Sequence, residues 1–173
     1  VKIEPEQKND VTINWHAFAS KDGYVTLSDG SRKKIKVIRL LKGMDQNFVD
    51  PLSASECNGY VYERGFSTEH NGVDLSTGSG CPINSIGTGQ VYFASWEDIS
   101  GYTVKIDHGN GIESYYYHGS GEFYVEEGDY VAAGQGIMDM GSSGNSTGTH
   151  LHLSLKNKDN FIDPANYIPY NRP

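Results

Sequence analysis

The sequence predicts an all-β protein, mainly an antiparallel sheet, with few or no helices. Its 173 residues include 21 Gly and 12 Tyr with many Asn, Ser and Asp, and they lack the Ala, Leu and Glu bias of helical proteins. β-branched or alternating segments recur at short spacing, and Gly-rich turns separate them. No segment between them has helical periodicity of useful length.

The N-terminal part differs in character from the rest of the chain. Residues 1 to about 10 are polar and charged, which indicates a linker or frayed terminus. Strands are predicted at residues 11–15, 24–27 and 35–41, with Asp-Gly turns between them. We therefore predict a linker and strand-rich appendage at residues 1–50 and a second domain at residues 51–173.

Six more strands are predicted in the second domain. They are residues 90–96, 102–107, 113–118, 129–132, 136–140 and 151–155. Because the connections between them are short, neighbouring strands are expected to run antiparallel.

Charge argues against nucleic-acid binding. The chain has 14 basic and 22 acidic residues, for a net charge of -8, whereas nucleic-acid binding needs a basic stripe. The one short basic patch, residues 32–36, is expected to be a solvated strand edge.

Export is expected for this chain, although no signal segment opens it. No apolar run approaches the roughly 20 residues that cross a bilayer. Because the chain begins at Val1 rather than Met, we expect that an export signal or a membrane anchor has been removed. The sequence gives no indication of oligomeric state.

The two cysteines, Cys57 and Cys81, are 24 residues apart. We predict that they form a disulfide, which suits an oxidising exterior. The alternative is a pair of unrelated buried thiols.

His70 and Asp74 form the first of three motifs with metal-binding chemistry. Imidazole and carboxylate are both ordinary zinc ligands, and Gly72 between them indicates a loop that enters a strand rather than a helix. The alternative is an Asp that caps a turn.

His150 and His152 form the second motif. Side chains alternate along a strand, so the two imidazoles share one face while Leu151 and Leu153 occupy the other. Such a pair makes one wall of a metal site. The alternative is a solvent-facing polar row.

His118 is the third candidate, because it ends an aromatic strand and precedes a Gly-rich loop from which it can reach a groove. The alternative is a surface histidine at a strand end. His108 precedes a predicted hairpin turn and is interpreted as turn chemistry, and His16 as structural.

Together these motifs resemble the lysostaphin-type (LytM-like) zinc metallopeptidases of bacterial cell walls. The family signatures are His-x-x-x-Asp, a middle His after an aromatic strand, and a late His-x-His. They appear here in that order as His70 to Asp74, then His118, then His150 to His152. The resemblance spans about residues 55–168, and the cysteine pair is not part of the family pattern.

By this resemblance, His70, Asp74 and His152 bind one Zn²⁺ per chain in a groove of the sheet, and a water takes the fourth position. Three protein ligands with an open position are typical of catalytic zinc. The His-Glu-x-x-His helix of other zinc peptidases is absent. His118 and His150 are therefore assigned jointly to proton transfer and oxyanion stabilisation.

The implied function is zinc-dependent hydrolysis of peptide bonds in peptidoglycan stem peptides or cross-bridges, outside the cell, in the wall or at the outer face of the bacterial membrane. Tyr60, Tyr62 and Tyr115 to Tyr117 are either groove walls or strand-packing aromatics. The main alternative is a family member that acts as a non-catalytic envelope binding or assembly module. A metal-dependent carbohydrate-binding domain is a third reading, but it leaves His118 unexplained.

Overall fold

The computed structural model describes residues 21–27, 29–37, 47–57 and 59–169. The strands are β1 (Lys21–Thr26), β2 (Arg32–Val37), β3 (Val61–Arg64), β4 (Val73–Ser76), β5 (Pro82–Asn84), β6 (Gly89–Glu97), β7 (Gly101–Gly109), β8 (Ile112–Phe123), β9 (Tyr130–Val131), β10 (Gly136–Met140), β11 (Leu151–Asn157) and β12 (Asn160–Ile162). Two 3-10 turns, Ser55–Cys57 and Pro164–Asn166, are the helical segments of this part of the chain. The predicted all-β class is confirmed, and within these residues no helix is long and apolar enough to cross a membrane.

Ten of the strands form one antiparallel sheet. Its main order is β3-β4-β11-β8-β7-β6-β9, with β12 beside β11. The first half of β8 pairs with β7 and β11, whereas the second half pairs with β10, which in turn pairs with β5. Gly119 pairs with both β7 and β10. The middle of β8, where His118 lies, is therefore the point at which the two parts meet.

Alternation along β11 separates the core from the candidate site. Leu151, Leu153 and Leu155 are fully buried and belong to the main hydrophobic cluster. Burial of each such side chain contributes about 1.5–3 kcal/mol relative to exposure. His152 and Ser154 alternate with these leucines and so belong to the opposite face. Core packing therefore fixes the direction in which His152 points.

Most of the predicted strands of the second domain lie inside observed ones, and residues 136–140 coincide with β10. The prediction at residues 129–132 is longer than β9, which has two residues. Four strands were not predicted: β3, β4, β5 and β12 have three or four residues each, too short for a periodic pattern. The strand predicted at residues 11–15 lies outside the described residues.

The predicted disulfide between Cys57 and Cys81 is present. The two Cα atoms are 5.4 Å apart, and both residues are buried. The bond ties a 3-10 turn to the residue that precedes β5, and it closes a loop that contains both His70 and Asp74.

The N-terminal hairpin of β1 and β2 contacts the main sheet beside β9. The carboxylate of Asp129 is fully buried and lies 2.7 Å from the guanidinium of Arg32, while Thr26 Oγ1 donates to the same carboxylate at 2.5 Å. Arg32 also pairs with Glu126 at 2.6 Å. Arg32 is exposed, as the prediction of a solvated strand edge expects, and it makes these ion pairs in addition.

Candidate metal centre

Pairing between β4 and β11 brings Asp74 and His152 together. The two strands are antiparallel, and His152 lies directly opposite Asp74 in the register. Directly opposed residues on one sheet face have Cβ atoms about 4.5–5.5 Å apart. His70 comes from the turn before β4, where Ser67 and His70 exchange backbone hydrogen bonds.

Gly72 allows the segment between His70 and Asp74 to lie against β11. A Cβ atom at this position would overlap the carbonyl oxygen of Leu153 and would lie 2.6 Å from Nε2 of His152. Only a residue without a side chain fits this approach. The glycine that argued against a helix is thus required for contact with the strand that carries His152.

The three predicted ligands converge on a small volume. His70 Nε2 is 3.1 Å from Asp74 Oδ2, and His152 Nδ1 is 2.8 Å from Asp74 Oδ1. All three ligand atoms lie within 4.8 Å of one another, and among the described residues this is the one such group of His, Cys, Asp or Glu. A tetrahedral zinc with bonds of about 2.1 Å needs ligand atoms roughly 3.4 Å apart, so the donor set fits this metal.

In His70 and His152, one ring nitrogen makes a hydrogen bond away from the candidate metal centre. The other ring nitrogen therefore faces that centre. His70 Nδ1 lies 2.7 Å from the carbonyl of Gly65, so it carries the proton and leaves Nε2 for a metal. His152 has the opposite arrangement, with Nε2 at 2.9 Å from Ser154 Oγ and 3.1 Å from Asn71 Oδ1. Metal-binding histidines typically donate their second N–H in this way.

Asp74 is held as a carboxylate. Burial raises the pKa of Asp74, but the close contact with the His152 side chain and the electrostatic interactions with His152, His70 and His150 outweigh burial, so the pKa lies below its ordinary value. An ionised carboxylate between imidazoles is the form that binds a cation.

His118 and His150 lie side by side next to the three predicted ligands. Their ring centroids are 4.7 Å apart, and His150 Nε2 is 3.8 Å from Asp74 Oδ1. Each has Nδ1 at 2.8 Å from a backbone carbonyl, that of Ser143 for His118 and that of Gly148 for His150. Nδ1 therefore carries the proton in each ring, and Nε2 can accept another.

The backbone of His118 is in the left-handed region, with φ of 65°. Such a conformation is uncommon for a residue with a side chain and persists only where the surroundings enforce it. Here the His118 N–H donates to Ser100 O at 2.8 Å, and Ser143 Oγ donates to Gly119 O at 2.6 Å. The loop that contains Ser143 and the backbone at Ser100 therefore fix the position of strand β8 at His118, and with it the His118 ring.

His118 is neutral near pH 7. Burial lowers the pKa of His118, the hydrogen bond to Ser143 O partly offsets this, and repulsion from His150 and His152 lowers it further. A neutral imidazole with a free Nε2 is suited to accept a proton.

The tyrosines divide between the two readings that the sequence left open. Tyr117 stacks on His152 with 5.2 Å between ring centroids, and Tyr115 continues the row at 6.2 Å. Tyr116 points the other way into the core, where burial raises its pKa to about 12. Tyr60 and Tyr62 pack against the core cluster.

The interpretation of His108 as turn chemistry is wrong. The ring is fully buried, with Nδ1 at 2.9 Å from Thr88 O and Nε2 at 2.7 Å from Ser114 Oγ. Alternation with Val104 and Ile106, both buried, already places residue 108 on the core face. This signal was available in the sequence. His16 lies outside the described residues.

Comparison with known proteins supports the resemblance inferred from the sequence. The model of peptidase family M23 matches residues 68–164, a range that includes all five candidate histidine and aspartate residues. The chain belongs to peptidase family M23. That assignment covers more than half of the chain and leaves the N-terminal hairpin outside it.

Relatives in this family include lysostaphin of Staphylococcus staphylolyticus, which is 36% identical over 85 residues, covering 49% of this chain and 18% of the relative. The peptidoglycan DD-endopeptidase ShyB of Vibrio cholerae is 32% identical over 94 residues, covering 54% of this chain and 22% of the relative. The chain thus spans about a fifth of the length of these curated relatives.

Among solved structures, the catalytic domain of lysostaphin from Staphylococcus simulans is similar, with a TM-score of 0.59 and 31% identity. The match covers 66% of this chain and 96% of that domain. The SpoIIQ–SpoIIIAH pore-forming complex contains the same fold, with a TM-score of 0.63 at 24% identity, covering 71% of this chain and 91% of that one.

Proposed function

We propose that this M23 protein is a zinc-dependent endopeptidase that hydrolyses peptide bonds in peptidoglycan stem peptides or cross-bridges. One observation carries the proposal: an imidazole, a carboxylate and a second imidazole converge within 4.8 Å, and two further histidines with an accepting Nε2 stand beside them. A structural zinc site has four protein ligands, whereas a catalytic one has three.

His70, Asp74 and His152 are the proposed ligands, through Nε2, a carboxylate oxygen and Nδ1. The ion they hold would supply Lewis acidity, which polarises a scissile carbonyl and lowers the pKa of water. Asn71 and Ser154 orient His152, and Gly65 orients His70 through its carbonyl.

His118 and His150 are the proposed catalytic residues. Since each Nδ1 is committed to a backbone carbonyl, each Nε2 is available for one proton at a defined position. A neutral imidazole can take a proton from the attacking water, and the protonated form can donate to the oxyanion or leaving amine. The two rings are assigned jointly to these roles.

The proposed substrate rests on the relatives, two of which are named as a peptidoglycan DD-endopeptidase and a glycyl-glycine endopeptidase. These names describe different bonds, so we propose the substrate class without one bond. The disulfide supports an oxidising location, and we propose the extracellular face, in the wall or at the outer side of the membrane. We also propose residues 51–173 as the peptidase domain and residues 1–50 as its appendage.

Zinc-loaded protein incubated with purified walls tests the proposal. Gly-bridged and directly cross-linked peptidoglycan are digested in parallel, and the products are identified by mass. We expect new peptide amino termini without new reducing sugar ends. His118→Ala and His152→Ala serve as paired controls, because the first is expected to keep zinc and the second to lose it. Zinc-loaded protein that releases no new termini from either wall contradicts the proposal and favours a non-catalytic envelope module.

A further inference from the structure

A cavity lies between the N-terminal hairpin and the main sheet, and the five residues of the candidate metal centre are not part of its lining. Its volume is about 690 Å³, within the range of about 300–1,000 Å³ for small-molecule sites. The hairpin forms one wall through residues 26, 27, 30 and 32. The end of β8 and the turn between β9 and β10 form the other through residues 123–126 and 132–136. We refer to this space as the hairpin cavity.

Hydrogen bonds from one arginine hold the two walls together. Arg32 Nε donates to Asp129 Oδ1 at 2.7 Å, and Arg32 Nη1 donates to Glu126 Oε2 at 2.6 Å. Arg32 Nη2 also donates to the carbonyl oxygen of Glu127 at 3.3 Å. Asp129 is fully buried, so separation of the walls would leave a buried charge without its partner, which is strongly unfavourable. The cavity is therefore formed before any ligand binds.

The backbone of the hairpin cavity is poorly suited to an added peptide strand. Such a strand needs unpaired N–H and C=O groups along one edge. Five N–H groups of the lining already donate to acceptors within the protein, namely those of Leu27, Gly30, Ala132, Gly134 and Gln135. A ligand in this cavity must therefore be recognised mainly by side chains.

The side chains of the hairpin cavity combine an exposed aromatic ring with planar polar groups. Tyr124 is 42% exposed, and its hydroxyl donates to the carboxylate of Asp139, which anchors the ring. The carboxamide oxygen of Gln135 accepts a backbone N–H at 3.1 Å, and among the described residues its NH₂ group has no hydrogen-bond partner. Glu126 uses one carboxylate oxygen for Arg32, so the other can accept. The cavity thus offers a ring, a donor and an acceptor.

This combination suits a carbohydrate better than an ion or an apolar ligand. One face of a pyranose ring presents C–H groups, which pack on the electron-rich face of an aromatic ring. The hydroxyl and acetamido groups of an amino sugar donate and accept hydrogen bonds, as the carboxamide and carboxylate of the cavity require. Because Arg32 and Glu126 compensate each other, a charged ligand would lose water without gaining an ion pair.

The position of the hairpin cavity along β8 relates it to the candidate metal centre. His118 and Phe123 are both on this strand, and their Cα atoms are at most about 18 Å apart because five residues of extended chain span no more. An extended peptide of about five residues covers the same distance. One stem peptide can therefore join a sugar in the cavity to a peptide bond at the metal centre.

We propose that the hairpin cavity binds the glycan strand of peptidoglycan, an uncharged chain of N-acetylated amino sugars. One sugar ring packs on Tyr124, and Gln135 and Glu126 bind its hydroxyl and acetamido groups. This glycan subsite rests on the proposed peptidase function and extends it to the carbohydrate part of the substrate. It also gives the N-terminal hairpin a role, because the hairpin supplies one wall and lies outside the range matched by the family.

The first measurement tests whether the cavity binds sugar. The ring signals of Tyr124 are followed by NMR in zinc-loaded protein during separate titrations with the β-1,4-linked tetrasaccharide of N-acetylglucosamine and with a pentapeptide amide. We expect the tetrasaccharide to shift these signals and the peptide to leave them in place. Signals that do not move with the tetrasaccharide, or that move with the peptide alone, overturn the glycan subsite.

The second measurement compares the affinity of the tetrasaccharide for the wild type, Tyr124→Ala, Tyr124→Phe and Tyr167→Ala by calorimetry. Tyr167 is a matched control, because it is also an exposed tyrosine and lies outside the cavity. Tyr124→Ala should weaken binding about tenfold, as expected for truncation of a tyrosine that anchors an interface. Tyr124→Phe retains the ring and should bind within about twofold of the wild type, as should Tyr167→Ala.

The third measurement compares digestion of intact walls with cleavage of free peptides. Tyr124→Ala should lower the ratio of wall digestion to peptide cleavage, by a factor similar to its loss of affinity for the tetrasaccharide. Tyr167→Ala should leave this ratio unchanged. Elemental analysis checks that all variants keep their zinc.

The outcomes distinguish the glycan subsite from the peptidase. Binding of the tetrasaccharide that depends on Tyr124, without cleavage of walls or peptides, supports the subsite and overturns the peptidase. Cleavage of peptides with no binding of the tetrasaccharide, or with equal affinity in Tyr124→Ala, overturns the subsite and leaves the peptidase proposal standing.

Discussion

Among the described residues, histidines occur in two buried clusters, and the degree of burial does not distinguish one cluster from the other. His108 is 0% exposed in the core, whereas His152 and His118 at the candidate site are 7% and 8% exposed. Both clusters lie on strands of the same sheet, and β8 contributes to each, through Ser114 in the first and His118 in the second.

The partners of the ring nitrogens separate the two clusters. Both nitrogens of His108 are used by a neutral carbonyl and a hydroxyl, so the ring serves as a satisfied core residue. At the candidate site one nitrogen of each histidine is bound to a neutral acceptor, while the other faces a shared carboxylate or open space. A buried histidine thus indicates function when one nitrogen is held and the other is left available.

The largest effect expected from this comparison is on metal content. Zinc should bind at about one ion per chain, His152→Ala should lose it, and His150→Ala should keep it, because His150 Nε2 lies 3.8 Å from Asp74 rather than in direct contact. Elemental analysis after dialysis measures the difference. Zinc lost from His150→Ala and kept in His152→Ala means that the two roles are exchanged.

The next effect concerns catalysis. His118→Ala should lower kcat on the order of 10²- to 10⁴-fold, as expected for removal of a general acid-base group, and it should keep zinc and folded structure. Wall turbidity and peptide cleavage assays measure the rate, and elemental analysis measures the metal. A variant that retains more than half of the wild-type kcat removes His118 from the proposed catalytic pair.

The buried cluster around His108 should affect the stability of the protein rather than its activity. Burial lowers the pKa of His108 to about 4, below the value of about 6.5 for an exposed histidine. As the pH falls, His108 is therefore protonated in the unfolded chain before it is protonated in the folded chain. Stability from this group is complete above pH 6.5 and falls by about 3 kcal/mol as the pH drops to 4.

Urea unfolding of metal-free protein at several pH values between 7 and 4 measures this loss. His108→Gln is the matched variant, because an amide retains a donor and an acceptor but does not titrate in this range. Its unfolding free energy should be lower at pH 7 and should fall less steeply with acid. If the unfolding free energies of the wild type and His108→Gln fall with the same slope against pH, the assigned role of His108 in acid sensitivity is contradicted.

Reduction of the disulfide should affect the candidate metal site more than the buried cluster around His108. A closed loop of this length is worth about 3 kcal/mol in the chain-entropy model, which corresponds to roughly 6–12 °C in Tm for a domain of this size. The loop contains His70 and Asp74, so reduction should also weaken zinc binding. Calorimetry and chelator competition with and without reductant measure both effects. Alkylation of both cysteines in freshly exported, unreduced protein contradicts the bond.

The structure could be predicted from the sequence where the residue pattern is local. Strand β10 follows from an apolar run between two Gly-rich turns, and the face of His152 follows from its alternation with leucines. Strands β3 and β5 could not be predicted because each has only a few residues, and their positions depend on partners that are distant in sequence. Their stability comes from pairing rather than from intrinsic propensity.

The candidate ligands were predictable because their spacing carries a family resemblance, but the orientation of their rings was not. The groups that orient His70 and His118 are backbone carbonyls of Gly65 and Ser143, and any residue type provides a carbonyl. Only the folded loop shows which one is used. For His108, the alternation with Val104 and Ile106 was sufficient, and the adjacent turn motif obscured it.

The Arg32–Asp129 contact has a consequence for self-association. β9 is the last strand in the main order of the sheet, and exposed strand edges are templates for pairing with other chains. The N–H of Tyr24 donates to Gly128 O at 3.1 Å, so the hairpin occupies backbone groups next to that edge. Breaking the ion pair with Arg32→Ala should free the edge and make the protein aggregate at lower concentration, while the distant histidine site keeps its geometry.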